Sequence, residues 1–155
     1  MWSLSVQHSL TLYVRHDHRY GLCHNDRPTF SNEEERRLFT PVAAKAAVRI
    51  AAFWTVRDPE GAALLDVSDS VWDRMKAGRS VGVLTQEQLL RASALIGIYK
   101  GLHDLVAGSA ADLWPRLVNR GPFLGHKSPI VAILEAGFPR MLETRKYIDA
   151  VRGGA

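Results

Sequence analysis

Four side chains near the start of the chain have types that could hold a metal: His16, His18, Cys23 and His24. Imidazole and thiolate are apt zinc ligands, but His-x-His followed by Cys-His matches no common zinc spacing. No metal and no cofactor are expected. His103 and Asp104 adjoin on a predicted helix, where consecutive side chains point in different directions, so they make no catalytic pair. No nucleophile beside a base, phosphate-cradling loop or pair of facing carboxylates stands out. The chain is therefore read as a non-enzyme, and an enzyme built on the N-terminal His/Cys group is the least supported alternative. What remains is binding chemistry.

Two groups of residues carry it. The first lies on a predicted short helix with Val71, Trp72 and Met75 on one side and Ser70, Arg74, Lys76 and, just beyond, Arg79 on the other. Arg and Lys can take phosphates or the acceptor edge of guanine, while the nearby Asp69 and Asp73 oppose a purely phosphate-driven mode. DNA contact and a plain helical hairpin with Trp72 and Met75 in its core both stand as readings. The second group is Arg145, Lys146, Tyr147, Arg152, Gly153 and Gly154, near the end of the sequence. Tyr and Arg are frequent interface anchors, and two glycines are slim enough to enter a cleft. The plainer reading is that cations sit near a helix C-terminus because the dipole favours them there, by about 0.3–1 kcal/mol each.

The elements that position these groups are helical in pattern from Ser31 onward, and no strand alternation is found there. Ser31 with Glu34 reads as a capping box, and Pro41 is expected to divide the segment that follows into a short helix and a main one. Val42, Ala46, Ile50 and Phe53 fall on one face of that main helix. Asp58-Pro59 opens the next, with Asp58 as cap. Ser68 or Asp69 caps the helix bearing Trp72, which ends near Gly78. Thr85 with Gln88 begins the longest helix, whose apolar face runs from Leu89 through Ala92, Ile96, Tyr99 and Leu102 and is widened by Leu95, Ile98, Leu105 and Val106. A helix from about Ala110 to Val118 follows. Then comes Leu124-Gly125-His126-Lys127-Ser128-Pro129, a tight turn into a Ser-capped, Pro-started helix that Gly137 stops, and a last helix over Phe138 to Arg152.

The bulk numbers set limits. With 155 residues, 46% hydrophobic and 23% charged, the chain has an ordinary globular composition. A net charge of +4 leans toward an acidic partner, and one cysteine excludes an internal disulfide framework. No secretory signal is read in Met1 to Leu12 and no stretch approaches a membrane span, so a cytoplasmic protein is expected. Residues 1 to 30 are read as a flexible, poorly structured extension.

The segment Ala62 to Arg79 resembles the helix-turn-helix of Xre-type regulators, with Val67 packing under the turn and Asp66 standing where a turn glycine is usual. Leu95 to Gly154 resembles the toxin-binding domain of the Xre/MbcA/ParS antitoxin family. The matching pieces, in order, are Leu102-His103-Asp104-Leu105-Val106, Ala110-Ala111-Asp112-Leu113-Trp114, Pro122 to Pro129, Ile130 to Gly137, and Arg145 to Gly154. The likeness covers about Leu38 to Gly154. Pro115, where the family usually has Leu, predicts a kink, and His126, where a second Gly is common, must accept a tight turn.

The resemblance implies an all-α chain: an Xre-like helix-turn-helix bundle over 31–92 and a small helical toxin-binding domain over 93–155. It implies an antitoxin of a type II toxin–antitoxin system whose partner is a RES-domain toxin, an enzyme that destroys NAD. In that family the C-terminal segment covers the toxin's NAD site, which assigns toxin contact to Arg145, Lys146, Tyr147, Arg152, Gly153 and Gly154. Deleting Arg145 to Ala155 is expected to abolish neutralisation while leaving the fold largely intact. Operator DNA and autorepression, and a homodimer or hetero-oligomer with the toxin, are further expectations. The alternative is a helix-turn-helix regulator without a toxin partner.

Overall fold

The computed structural model describes residues 28–120 and 122–154. The His16, His18, Cys23 and His24 group, most of the expected N-terminal extension, and Ala155 lie outside the described residues. Residues 28–30 belong to the packed body: Phe30 is buried and meets Phe39 edge-on at 5.6 Å, and Gln86 donates to the Thr29 carbonyl.

Helix α1 spans Glu33–Phe53. Asn32, not Ser31, caps it, its side-chain oxygen accepting the Glu35 N–H at 2.7 Å. Asn and Ser are nearly equal as caps, so the choice falls to where the chain turns. Pro41 does not divide this helix. Both Pro41 and Arg37, whose carbonyl loses its partner there, are exposed, so water can satisfy the freed oxygen. Thr40, one residue earlier, is buried; its hydroxyl donates to the Arg36 carbonyl and accepts the Leu84 N–H.

Helices α2 (Asp58–Leu65) and α3 (Asp69–Lys76) form a hairpin. Arg57, not Asp58, holds the cap position of α2, with the Glu60 carboxylate accepting its N–H. Asp58 is thereby free to accept from Trp72 Nε1 and to pair with Lys76 across the hairpin. Asp66 takes the left-handed conformation at φ 56°, and Ser68 caps α3. Gly61 is required by packing, because a Cβ there would lie 2.2 Å from the Trp72 ring.

Helix α4, Gln86–Leu105, begins with both bonds of the Thr85/Gln88 box. Helix α5 is Ser109–Leu113, a 3-10 turn follows at Trp114–Arg116, and a second lies at Pro122–Leu124. The expected helix to Val118 therefore stops early: Pro115 has no N–H to continue the ladder, and the chain tightens around it. Helices α6 (Pro129–Ala136) and α7 (Phe138–Arg152) complete the described chain. It is all-α among the described residues, and no helix there is long and apolar enough to cross a membrane.

The contacts give the topology. Thr40 meets Leu84 before α4 begins and Phe53 stacks on Tyr99, so α1 and α4 run in the same direction. Arg91 lies over Phe138, Ile148 fills the space above Gly101 and Arg152 pairs with Asp104, so α7 follows α4 in that direction as well. α4 is thus a spine between α1 and α7, and α2–α3 and α5–α6 make the return connections. The expected boundary at residue 92 falls inside α4, and one buried cluster joins residues from both sides of it. Because α4 covers the Ala43, Ala47, Ile50 and Trp54 side of α1, Val42 and Phe53 stay exposed, contrary to the expected core face. Leu105 and Val106 are exposed too, since α4 ends there.

Candidate partner-binding surface

The turn before α6 is built from local requirements. Gly125 and His126 both take positive φ, 59° and 61°, so His126 does accept the left-handed position. The Lys127 N–H bonds the Leu124 carbonyl, the Lys127 carbonyl accepts the Asn119 N–H, and the Lys127 ammonium pairs with Glu135. Ser128 caps α6 through the Val131 N–H, Pro129 occupies the first turn, and Gly137 at φ 72° ends it. This fixes the base from which α7 departs.

α7 buries Met141, Thr144 and Ile148 against the core. Its edge toward α4 carries Arg145 and Arg152. Arg145 is turned inward: Nη1 donates to the Ser93 carbonyl at 3.0 Å, the guanidinium covers Gly97, and Nε stands 3.6 Å from Asp149, an ion pair too long for a hydrogen bond. Arg152 pairs with Asp104 at 3.1 Å while remaining exposed. Lys146 and Tyr147 are exposed. Gly153 still bonds back to Asp149, and Gly154 takes φ 79°, so the two glycines wind up the helix end and do not form an extended strand.

Tyr147 has company that pattern reading missed. Phe123, from the 3-10 turn before α6, stacks on its ring at 5.4 Å with an interplanar angle of 18°. Arg140 lies over the other partner, its guanidinium 5.3 Å from the Phe123 centroid and its Nη1 donating to the Phe123 carbonyl. Val151 continues the same edge one turn beyond Tyr147 and is exposed. Only the i, i+4 relation of Tyr147 and Val151 is visible in sequence; nothing local announces Phe123 as their neighbour. A second exposed apolar stretch, Leu113, Leu117 and Val118, runs from the end of α5 into the α5–α6 connection.

The four DNA-contact candidates, three on α3 and Arg79 beyond it, are all exposed, but not equally available. Lys76 is drawn to Asp58 at 2.6 Å and Arg74 donates to the Ser80 carbonyl at 2.8 Å. Ser70 Oγ sits 3.1 Å from Ser68 Oγ, and Arg79 projects beyond the helix. Lys76 and the Trp72 indole hold the Asp58 carboxyl below its usual range. Asp69 and Asp73 are exposed on the same helix, so its outward surface is of mixed sign.

Behind both surfaces stands an ion pair that sequence reading missed. Glu60 is buried, and Arg116 bonds its carboxylate at 2.8 Å while also donating to the Trp54 and Thr55 carbonyls at the end of α1. The Arg116 hydrogen bond, helped by Arg57 and opposed by burial, lowers the Glu60 pKa to about 2. Arg116 thus ties α1, α2 and the turn after α5 together. Comparison with protein-family models, curated proteins and solved structures finds no match.

Proposed function

We propose that this chain is the cytoplasmic antitoxin of a type II pair, neutralising a NAD-degrading RES-domain toxin by setting α7 and the residues after it over the toxin's active site. The ordered likeness of Leu95 to Gly154 to the toxin-binding domain of the Xre/MbcA/ParS family supports this reading. The observation that carries it furthest is the way α7 is held. Met141, Thr144 and Ile148 anchor the helix on the core while Lys146, Tyr147 and the helix end face outward. A rigidly seated helix with a free outer face loses little entropy on docking. Neutralisation is steric and electrostatic, and this chain performs no chemistry. Repression of its own operon through α2 and α3 belongs to the same proposal.

The structure changes which experiment is informative. Deleting Arg145 to Ala155 would remove Ile148, only 1% exposed, and the Arg145 bond to α4, so the fold cannot be expected to survive. Lys146→Glu combined with Arg152→Glu leaves that packing in place. Co-expressed with the product of the adjoining gene, the wild-type chain should protect cells and keep their NAD, and the double variant should not. Equal protection by both proteins would overturn the assignment of those residues; no protection by the wild type would overturn the antitoxin reading.

The second reading is a regulator without a toxin partner. The hairpin Asp58–Lys76 favours it, and Arg74→Ala with Lys76→Ala should then abolish operator binding and the whole phenotype. If the phenotype instead persists as toxin protection, that reading fails. The void between α1, α2, α3 and α4 is about 10 Å³, room for about one water, so the core behind that hairpin is closely packed.

A further inference from the structure

We propose that one edge of α1, the row Phe39, Val42, Ala46 and Phe53, is a docking surface for this chain's own N-terminal segment, with Leu10, Leu12 and Val14 set along it. This contact is independent of the antitoxin reading. The four α1 residues fall at i, i+3, i+7 and i+14, one row of the helix. The Phe53 end of the row borders α4, where its ring stacks on Tyr99 at 5.8 Å. Phe39, Phe53 and Tyr99 each have a further partner. Val42, between Phe39 and Phe53, keeps 37% of its surface exposed. The chain reaches this row from its N-terminal side. Phe30 is buried edge-on against Phe39, and Arg36 donates to the Phe30 and Ser31 carbonyls. The residues before Pro28 therefore join the body at the Phe39 end of the row.

The sequence of that segment suits the row. Trp2, Leu4, Val6, Leu10, Leu12 and Val14 alternate with Ser3, Ser5, Gln7, Ser9 and Thr11, a period of two that gives an extended chain one apolar side. Among the described residues no strand offers such a chain a ladder, so a helix row is where that side can be buried. From Phe39 to Phe53 the row is about 21 Å long, the length of about six or seven extended residues. Residues 15–29 reach up to about 50 Å, ample to bring Leu10, Leu12 and Val14 back over it. A flexible tether holds the segment near the row at an effective concentration on the order of millimolar, so a contact too weak to retain a separate partner suffices.

The test is photocrosslinking in the full-length chain, with p-benzoylphenylalanine placed at Val42 or, as a distant exposed control, at Leu117. Trypsin, cutting after Arg15, Arg37 and Lys45, should then release residues 1–15 joined to residues 38–45, from chains that run as monomers on a denaturing gel. The Leu117 probe should capture residues 1–15 at background level only. Leu12→Asp, which sets a charge against the row, should lower the Val42 yield at least about tenfold. Circular dichroism of that variant should match the wild type in helix content, because Leu12 lies outside the helical body. No link to residues 1–15 at Val42, or equal capture at Val42 and Leu117, overturns the proposal. An undiminished yield in a folded Leu12→Asp variant overturns it as well. Links found only in the dimer band would assign the row to a second copy, and the proposal falls.

Discussion

Single residues settle several questions that no pattern could. Asp58 was expected to cap α2 but sits one position inside it, where it accepts from Trp72 and pairs with Lys76 instead. The cap position went to Arg57 because Glu60 reaches back to its N–H. Glu60 also accepts from Arg116, and its side chain is only 11% exposed. Its pKa falls from 4.5 unfolded to about 2 folded, so its stabilisation is fully present above pH 4.5 and is lost as pH falls toward 2. Glu60→Gln should cost about 1.5–3 kcal/mol at pH 7, and urea melts should show the gap to wild type closing as pH is lowered through that window. A gap independent of pH would mean that charge is not what Glu60 contributes. Gly61→Ala should cost about 1–3 kcal/mol, because the added methyl meets the rigid Trp72 indole at 2.2 Å. Gly97→Ala should cost less, since the atom in its way is the movable end of Arg145. Thermal melts of the two variants should rank in that order.

Among elements, the caps and stops were largely legible and the extents less so. Ser68, Thr85, Ser128 and Gly137 stand where their types require, because a cap depends on residues within a few positions. Ser128→Ala should cost about 1 kcal/mol in chemical denaturation, as the Val131 N–H loses its acceptor. Pro41 misled because proline's effect depends on which side of the helix is robbed of its bond, and only the packed structure places that side in solvent. Pro41→Ala should accordingly leave α1 intact and stabilise it modestly, read as a small rise in melting temperature. A fall would mean that the proline holds something other than the helix.

At the scale of the molecule, α1, α4 and α7 run side by side in one direction with α4 in the middle. The two candidate surfaces are therefore consequences of one core. α2–α3 is returned to α4 through Gln88 and the Asp66 carbonyl, and α7 is fastened to the other flank through Arg145 and Ile148. Ile148→Ala should remove about 2–5 kcal/mol and unfold both halves together. Separate transitions for circular dichroism and for the buried Trp54 and Trp72 fluorescence would instead indicate two independent units.

By itself the sequence determined the helical class, most caps and stops, the left-handed turns at Asp66 and His126, and the surface placement of Lys146, Tyr147 and the α3 cations. Each of these follows from residue type and neighbours a few positions away. Tertiary structure alone decided that Arg145 points into the core, that Phe123 lies on Tyr147, and that Arg116 bonds Glu60. Those outcomes join residues 24 to 56 positions apart at the margins of apolar stripes, where a side chain can face in or out. The direction is chosen by the groove the neighbouring helix offers, and Gly97 offers one only after α4 and α7 have met.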